Sequence, residues 1–255
     1  MLLALTAHDR VTAGQDKLAI DEQQPTRPTP SGSRSSHWAG AGYSAPPPGS
    51  SRFAATKASF TLPRRPDADF RVPKETYGAS VWVGIDVQNS TNALLQAGVD
   101  ILLGPTGGFS FLPWYQWWPD TVRTLPLQLS PGDRVAMEVV MFNATYGKAV
   151  IRNDSIKQYT AQFFDAPSPE ATLRGQDVEW GSENFWQMEN GNRKRRKGPL
   201  ADFGYFVLEN CIAYTDTNSM VVAEDGDIYY AIQQDSLVRT EVHVENSTVA
   251  IMYTR

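Results

Sequence analysis

From Trp38 onward, short segments of the chain alternate apolar and polar residues, and turn residues separate these segments. In residues 81–86 the alternation puts three aliphatic side chains on one face of a strand and Trp82, Gly84 and Asp86 on the other. No helical stripe of convincing length follows residue 36, and similar segments recur to residue 253. We therefore predict an all-β protein, an antiparallel β-sandwich of two packed sheets.

The N-terminal segment has a different character. Residues 1–36 show no clean period and contain Pro-Thr-Pro and Ser-Gly-Ser-Arg-Ser-Ser. Such a composition is typical of a tail, a linker or a pro-segment. We predict a disordered or irregular N-terminal tail or pro-segment over 1–36 and one folded domain over 37–255, a length that suits a single all-β domain.

Asn-X-Ser/Thr sequons indicate the compartment of this protein. They occur at Asn89, Asn143, Asn153 and Asn246, against roughly one or two expected by chance. This excess favours the secretory route, although residues 1–7 lack the basic start and the length of a signal peptide. No stretch approaches the ~20 apolar residues of a membrane span. We predict a secreted, extracellular glycoprotein that does not associate with a membrane.

Charge and residue usage exclude several kinds of function. A net charge of −5 argues against a nucleic-acid partner, and the basic run 193–197 is interpreted as a solvated loop or a processing site. None of the 3 histidines, His8, His37 and His243, has the spacing of a catalytic or metal site. The single cysteine, Cys211, is predicted to be a buried small hydrophobe. An enzyme of this sequence would use carboxylates and amides, without cofactor or metal.

Polar residues interrupt apolar surroundings in four segments. These are Trp-Val-Gly-Ile-Asp at 82–86, Leu-Leu-Gln-Ala-Gly-Val-Asp at 94–100, Trp-Tyr-Gln-Trp-Trp-Pro-Asp at 114–120 and Val-Glu-Trp-Gly-Ser-Glu-Asn-Phe at 178–185. If the fourth is a strand, Glu179, Gly181 and Glu183 share one face. Each segment alone has a structural explanation, since an amide can satisfy a backbone group, tryptophans fill cores and glutamates are solvated.

In this order, the four segments resemble the glutamic peptidase (eqolisin) family. The first segment is identical to the family pattern, and the spacing from Asp86 to Gln96 agrees with it. The resemblance covers roughly residues 37–255. Gln116 stands where the family has a glutamate, and Gly181-Ser182 replaces two β-branched residues. These departures bear on substrate preference more than on fold.

The resemblance implies a concanavalin-like sandwich and an acid endopeptidase that pepstatin does not inhibit. We further expect a monomer. The resemblance places the catalytic pair at Gln96 and Glu183, with Glu179 as the second choice for the acid because it shares the strand face. Glu183 would activate a water, and Gln96 would donate an N–H to the oxyanion, without a covalent intermediate. The substrate would be an extended polypeptide. The residues implied to bind it or to orient the pair are Trp82, Asp86, Trp114, Gln116, Glu179 and Phe185.

Two other functions compete with this interpretation. A lectin-like module that binds carbohydrate or peptide, with weak or no catalysis, would use the same fold and tryptophans. A glycoside hydrolase could use Glu179 and Glu183, but their Cα atoms would lie about 13 Å apart along one strand. Side chains close that distance only in part towards the roughly 5–9.5 Å that such carboxyl pairs need.

Overall fold

A computed structural model describes residues 34–64, 76–88, 92–104, 108–188, 195–197, 200–234 and 236–254, with the backbone alone at 186–188 and 195–197. Most of the predicted tail, the Asn89 sequon and part of the basic run lie outside the described residues. The predicted domain boundary at residue 37 stays a prediction.

The first of two large sheets has nine strands. They are β1 (Arg34–Ser35), β2 (Trp38–Tyr43), β4 (Tyr77–Ile85), β5 (Leu94–Leu103), β6 (Phe109–Trp118), β7 (Arg123–Thr124), β11 (Val178–Glu183), β16 (Ile228–Gln234) and β17 (Leu237–Val238). Their order is β1-β16-β2-β11-β4-β5-β6-β7, with β17 beside β16. Neighbours pair antiparallel except β1 and β16, which are parallel.

The second sheet has eight strands. They are β3 (Phe53–Thr61), β8 (Arg134–Asn143), β9 (Tyr146–Asn153), β10 (Gln158–Asp165), β14 (Tyr205–Thr215), β15 (Met220–Val222), β18 (Thr240–Glu245) and β19 (Thr248–Tyr253). Their order is β10-β9-β8-β3-β14-β19-β18, with β15 beside β14. Strands β12 (Trp186–Met188) and β13 (Arg195–Lys197) form a separate pair.

The described residues contain one helical element, the 3-10 turn Ala223–Asp225. Across the same residues no helix has the length and apolarity to cross a membrane.

Buried residues of the described segments form a large hydrophobic core between the two sheets. Strand β4 contributes the aliphatic face predicted from the alternation, and β8 faces it with Val135, Met137 and Val139, which are at most 1% exposed. Full burial of such a side chain contributes about 1.5–3 kcal/mol relative to exposure. The predicted all-β sandwich is confirmed, and Cys211 is buried in its core as expected. The opposite face of the first sheet is left to carry polar side chains.

Candidate active site

A cleft of about 790 Å³ lies on the outer face of the first sheet. Gln96, Gln116 and Glu183 reach it from β5, β6 and β11. The residues that complete its lining are Arg34, Ser35, Ser36, His37, Trp38, Trp82, Val87, Gln88, Leu94, Trp118 and Tyr230. The structure therefore brings the predicted pair, Gln96 and Glu183, into one cavity.

Strand register arranges the outer face in three rows across β11, β4, β5 and β6. The rows are Glu179-Gly84-Gln96-Gln116, Gly181-Trp82-Gly98-Trp114 and Glu183-Ser80-Asp100-Leu112. On a flat sheet, Gln96 and Glu183 would be two strands and four residues apart, about 16 Å between Cα atoms. Both side chains line the same cleft, so each closes part of this distance. A water between them can hydrogen-bond to both groups when their polar atoms lie within about 6 Å of each other.

A hydrogen-bonded chain orients the amide of Gln96. Nε2 of Gln96 donates to Oε1 of Gln116 at 2.9 Å, and Nε2 of Gln116 donates to the main-chain oxygen of Asp120 at 2.8 Å. A carbonyl oxygen can only accept, so the Asp120 end sets the direction of both amides. The second N–H of Gln96 remains for a group in the cleft.

The turn after β6 holds the Asp120 carbonyl in place. The Asp120 main-chain N–H donates to the oxygen of Trp117 at 3.0 Å, and its carboxylate accepts from the Thr121 N–H at 2.9 Å and from Arg123 at 2.6 Å. The hydrogen bond from Arg123 lowers the pKa of Asp120. The carboxylate therefore keeps its charge, and this contact, further into the acid range.

Glu179 shares the strand face of Glu183 but is sealed from the cleft. It is 0% exposed, and Val87 lies over the adjacent Gly84, where an added Cβ would meet the valine at 2.4 Å. Its carboxyl approaches Asp177 and the Val87 backbone without a hydrogen bond of normal geometry. Burial, followed by the charges of Asp177 and Asp86, raises the pKa of Glu179 well above its usual range. Burial therefore favours the neutral form of Glu179, which does not line the cleft.

Asp86 holds a loop instead of facing the cleft. Its carboxylate accepts the main-chain N–H groups of Arg174 at 2.6 Å, Gly175 at 2.8 Å and Gln176 at 2.7 Å. Burial raises the pKa of Asp86 despite these three donors. The residue has a φ of 61°, in the left-handed region. It ties the end of β4 to the loop that leads into β11.

A second buried carboxyl lies in the row of Glu183. Ser80 stands between Glu183 and Asp100 in the register, and its hydroxyl donates to Asp100 at 2.5 Å. Burial raises the pKa of Asp100 to about 6, although the hydrogen bond from Ser80 acts to lower it. At acid pH this carboxyl is neutral and places no negative charge beside Glu183.

Indole rings form the floor and one wall of the cleft. Trp82 lies 5.5 Å from Trp38 between ring centroids, and Trp38 lies 5.2 Å from Tyr230. Glycines make room for these rings, since a Cβ on Gly181 would stand 3.0 Å from Trp38 and 3.1 Å from Trp82. Larger residues at position 181 would therefore displace the floor.

Two further predicted residues are buried and do not line the cleft. Trp114 is 3% exposed and packs in a cluster with Trp38 and Trp82. Phe185 is 3% exposed and its ring covers Gly78, where an added Cβ would stand 2.6 Å away. Trp114 thus supports the indoles of the cleft floor, whereas Phe185 packs against β4 away from the lining residues.

Sequence reasoning did not assign Trp38, Trp118, Tyr230, Arg34 and His37 to the site. They come from β1, β2, β6, β16 and the link between β1 and β2. Trp118 directly follows the segment that contains Gln116, which was an available signal. Tyr230 and the N-terminal residues join the cleft only through strand pairing. Across the described residues no group of three or more His, Cys, Asp or Glu side chains is placed to hold a metal ion.

The chain matches the model of the Peptidase A4 family over residues 36–253. Aspergillopepsin-2 of Aspergillus niger is 32% identical over 180 residues, which are 70% of this chain and 60% of that protein. Scytalidopepsin B of Scytalidium lignicola is 27% identical over 191 residues, which are 73% of this chain and 71% of that protein. The chain thus spans somewhat less than two thirds of aspergillopepsin-2.

Solved structures share the fold. A crystal structure of scytalido-glutamic peptidase with a transition-state analogue inhibitor superposes with a TM-score of 0.72 at 23% identity, covering 86% of this chain and 98% of that one. The aspergilloglutamic peptidase from Aspergillus niger superposes with a TM-score of 0.62 at 31% identity, covering 70% and 99%.

Proposed function

The chain belongs to the Peptidase A4 family, and from this membership and the geometry of the cleft we propose that it is a glutamic endopeptidase active in acid. The resemblance drawn from the four sequence segments is confirmed by the family match. One observation carries the proposed pair. Gln96 and Glu183 line the same cleft, whereas Glu179 is completely buried.

In the proposed reaction, ionised Glu183 takes a proton from a water, and the water attacks the carbonyl carbon of the scissile peptide. Negative charge then develops on the carbonyl oxygen, and the free N–H of Gln96 donates to it. The C–N bond breaks as protonated Glu183 transfers its proton to the leaving nitrogen. Because water is the nucleophile, no acyl-enzyme forms.

The electrostatics of the site support operation at acid pH. A carboxylate base is most useful near its own pKa, and glutamate ionises near ~4.3. The raised pKa values of Asp100 and Glu179 keep both groups neutral in that range. Glu183 then acts without strong repulsion from neighbouring carboxylates. The amides of Gln96 and Gln116 do not titrate and keep their orientation at every pH.

The cleft supports an extended polypeptide as substrate. Trp118, which is 41% exposed at the rim, and Tyr230 offer apolar surface to side chains above the packed indoles of Trp38 and Trp82. Aromatic rings bury a large apolar area on contact, and the Trp N–H and Tyr O–H groups can also hydrogen-bond. We extend the proposal to a secreted monomer with an N-terminal tail or pro-segment over residues 1–36, as the sequons and tail composition indicate.

The direct test is digestion of a denatured protein at pH 2–4, with and without pepstatin. We expect cleavage that pepstatin leaves unchanged, and none from a folded Glu183→Gln variant. Folding of the variant is checked by its melting temperature and near-UV circular dichroism. A folded wild-type chain that cleaves nothing and binds a glycan instead would replace the peptidase with the lectin-like alternative.

A further inference from the structure

An exposed group of three aromatic rings lies on the outer face of the second sheet, away from the cleft. Phe142, Tyr146 and Phe163 are 47%, 36% and 51% exposed. Their ring centroids are 5.3 to 6.4 Å apart and their planes lie within 29° of each other. We call these residues the aromatic triad. Clustered exposed apolar surface usually marks a contact site, whereas single exposed side chains do not.

A β-bulge places a glycosylation sequon on the same face as the triad. The pairing of β8 with β9 shifts between Met141 and Asn143, so that Phe142 and Asn143 together oppose Tyr146. A bulge of this kind puts two consecutive side chains on one side of the sheet. Directly paired residues have Cβ atoms about 4.5–5.5 Å apart. Asn143 therefore stands at the edge of the triad.

The local geometry suits modification of Asn143. Its Oδ1 accepts the main-chain N–H of Thr145 at 2.8 Å and the Thr145 hydroxyl at 3.1 Å, and both residues are exposed at the hairpin tip. The sequon at Asn153 differs. Its side chain is 0% exposed, and its Nδ2 donates to the Gln128 oxygen at 3.0 Å and to Asp133 at 2.7 Å.

We propose that Asn143 carries an N-linked glycan whose first sugar packs on the aromatic triad. The Nδ2 of Asn143 forms the bond to the anomeric carbon of an oligosaccharide delivered on a lipid diphosphate. The bond from that carbon to the diphosphate oxygen breaks, the lipid diphosphate leaves, and the displaced amide proton goes to a base of the host transferase. This inference rests on the secretory route in the proposed function, but not on its catalysis.

Covalent attachment explains why a sugar is the occupant. The ring faces of aromatic residues carry negative charge and attract the C–H groups of a pyranose. Tethering at Asn143 holds the sugar beside the triad at a high effective concentration, so weak stacking suffices. The C–H face of the sugar then covers apolar surface that water would otherwise contact, and its hydroxyl groups face the solvent.

Occupancy is tested on the full chain, secreted from a eukaryotic host with a vector-supplied leader. An amidase that removes N-glycans in heavy-oxygen water converts each modified asparagine to labelled aspartate, which mass spectrometry locates. We expect label at Asn143 and none at Asn153. Folded, secreted protein without label at Asn143 overturns the proposal. Peptidase activity of the same sample is measured separately, so the failure of one proposal is distinguished from that of the other.

Packing is tested by melting temperature before and after glycan removal, with Asn89→Gln and Asn246→Gln as background so that Asn143 is the one exposed sequon among the described residues. We expect removal to lower the melting temperature by about 2–4 °C, and by less than half as much in Phe163→Ser. The matched control is Tyr205→Ser, since Tyr205 is 59% exposed and outside the triad. An equal loss in Phe163→Ser and Tyr205→Ser contradicts the packing.

Discussion

The side-chain oxygen of Gln116 accepts a hydrogen bond from Gln96 at 2.9 Å. Gln116 in turn donates to the main-chain oxygen of Asp120 at 2.8 Å. A glutamate at position 116, as in the resembled family, could donate to that oxygen only when protonated. An amide makes the same contacts in the same direction at every pH. With glutamine at position 116, the orientation of the Gln96 amide therefore does not change with pH.

We predict that Gln116→Glu adds an ionisation to the pH profile. As pH rises through the pKa of the new carboxyl, that group loses its proton. Its charged oxygen then faces the Asp120 main-chain oxygen, and the hydrogen bond between them is lost. kcat should then fall at lower pH than in the wild type, while KM changes little. Gln116→Leu should lower kcat by about 10- to 100-fold at all pH values, because a displaced oxyanion donor costs up to about 1,000-fold.

The measurement is kcat and KM on one peptide from pH 2 to 6, for wild type and both variants. Identical profiles for the wild type and Gln116→Glu would show that Gln116 does not position Gln96. Equal losses for both variants across the range would point instead to simple packing at this position.

Burial predicts different roles for the two glutamates of β11. Glu183→Gln and Gln96→Ala should each lower kcat by at least about 1,000-fold, because each removes a group that acts on the reacting atoms. Glu179→Gln should retain activity within about tenfold, since the neutral carboxyl and the amide have nearly the same shape. Measurement of kcat at pH 3 on the folded variants tests this assignment. An inactive Glu179→Gln beside an active Glu183→Gln would reverse the assignment.

Stability should be greatest in acid and fall towards neutral pH. The pKa of Asp100 is about 6 in the folded protein and 3.8 ordinarily. Between these values the folded state binds more protons than the unfolded state, so rising pH favours unfolding. The resulting decrease in the free energy of unfolding is complete above pH 6 and amounts to about 3 kcal/mol. Asp86 and Glu179, whose pKa values are also raised, add losses of the same sign.

Urea unfolding of the Glu183→Gln protein between pH 3 and 7 avoids self-digestion and measures this dependence. Asp100→Asn keeps an oxygen that can accept from Ser80, but it cannot ionise. Its unfolding free energy should match the parent at pH 3 and exceed it at pH 7. A parent protein with higher stability at pH 7 than at pH 3 would contradict the sign.

Local patterns were sufficient to predict much of the fold. Alternation around Trp82 separates the core face of β4 from its outer face because side chains on a strand alternate by construction. The position of Gln96 in the cleft follows from the same rule, together with the family spacing. Such rules depend on neighbours along the chain and need no tertiary information.

The difference between Glu179 and Glu183 could not be predicted in this way. Both lie on one face of β11, but only Glu183 lines the cleft. Glu179 is buried next to Val87, on a loop almost a hundred residues earlier in the chain. Asp86 shows the same limit, since its partners at 174–176 are set by tertiary packing. Strand pairing that spans the chain also brings Tyr230 to Trp38.

The packing of indoles on glycines gives the last prediction. A Cβ on Gly98 would stand 2.6 Å from the main-chain oxygen of Val81, 2.7 Å from Trp114 and 2.8 Å from Trp82. The oxygen belongs to the sheet ladder and cannot move aside, so β5 must shift against β4. Gly98→Ala should therefore destabilise the fold by about 1–3 kcal/mol. The shift should also lower kcat, because Gln96 is two residues away.

Gly108→Ala is the matched control, since a Cβ there meets nothing within 4 Å, and its effect should stay within about 0.5 kcal/mol. Urea unfolding and peptide kinetics on both variants test the pair, and a Gly98→Ala protein as stable and active as Gly108→Ala would show that the indole floor tolerates displacement.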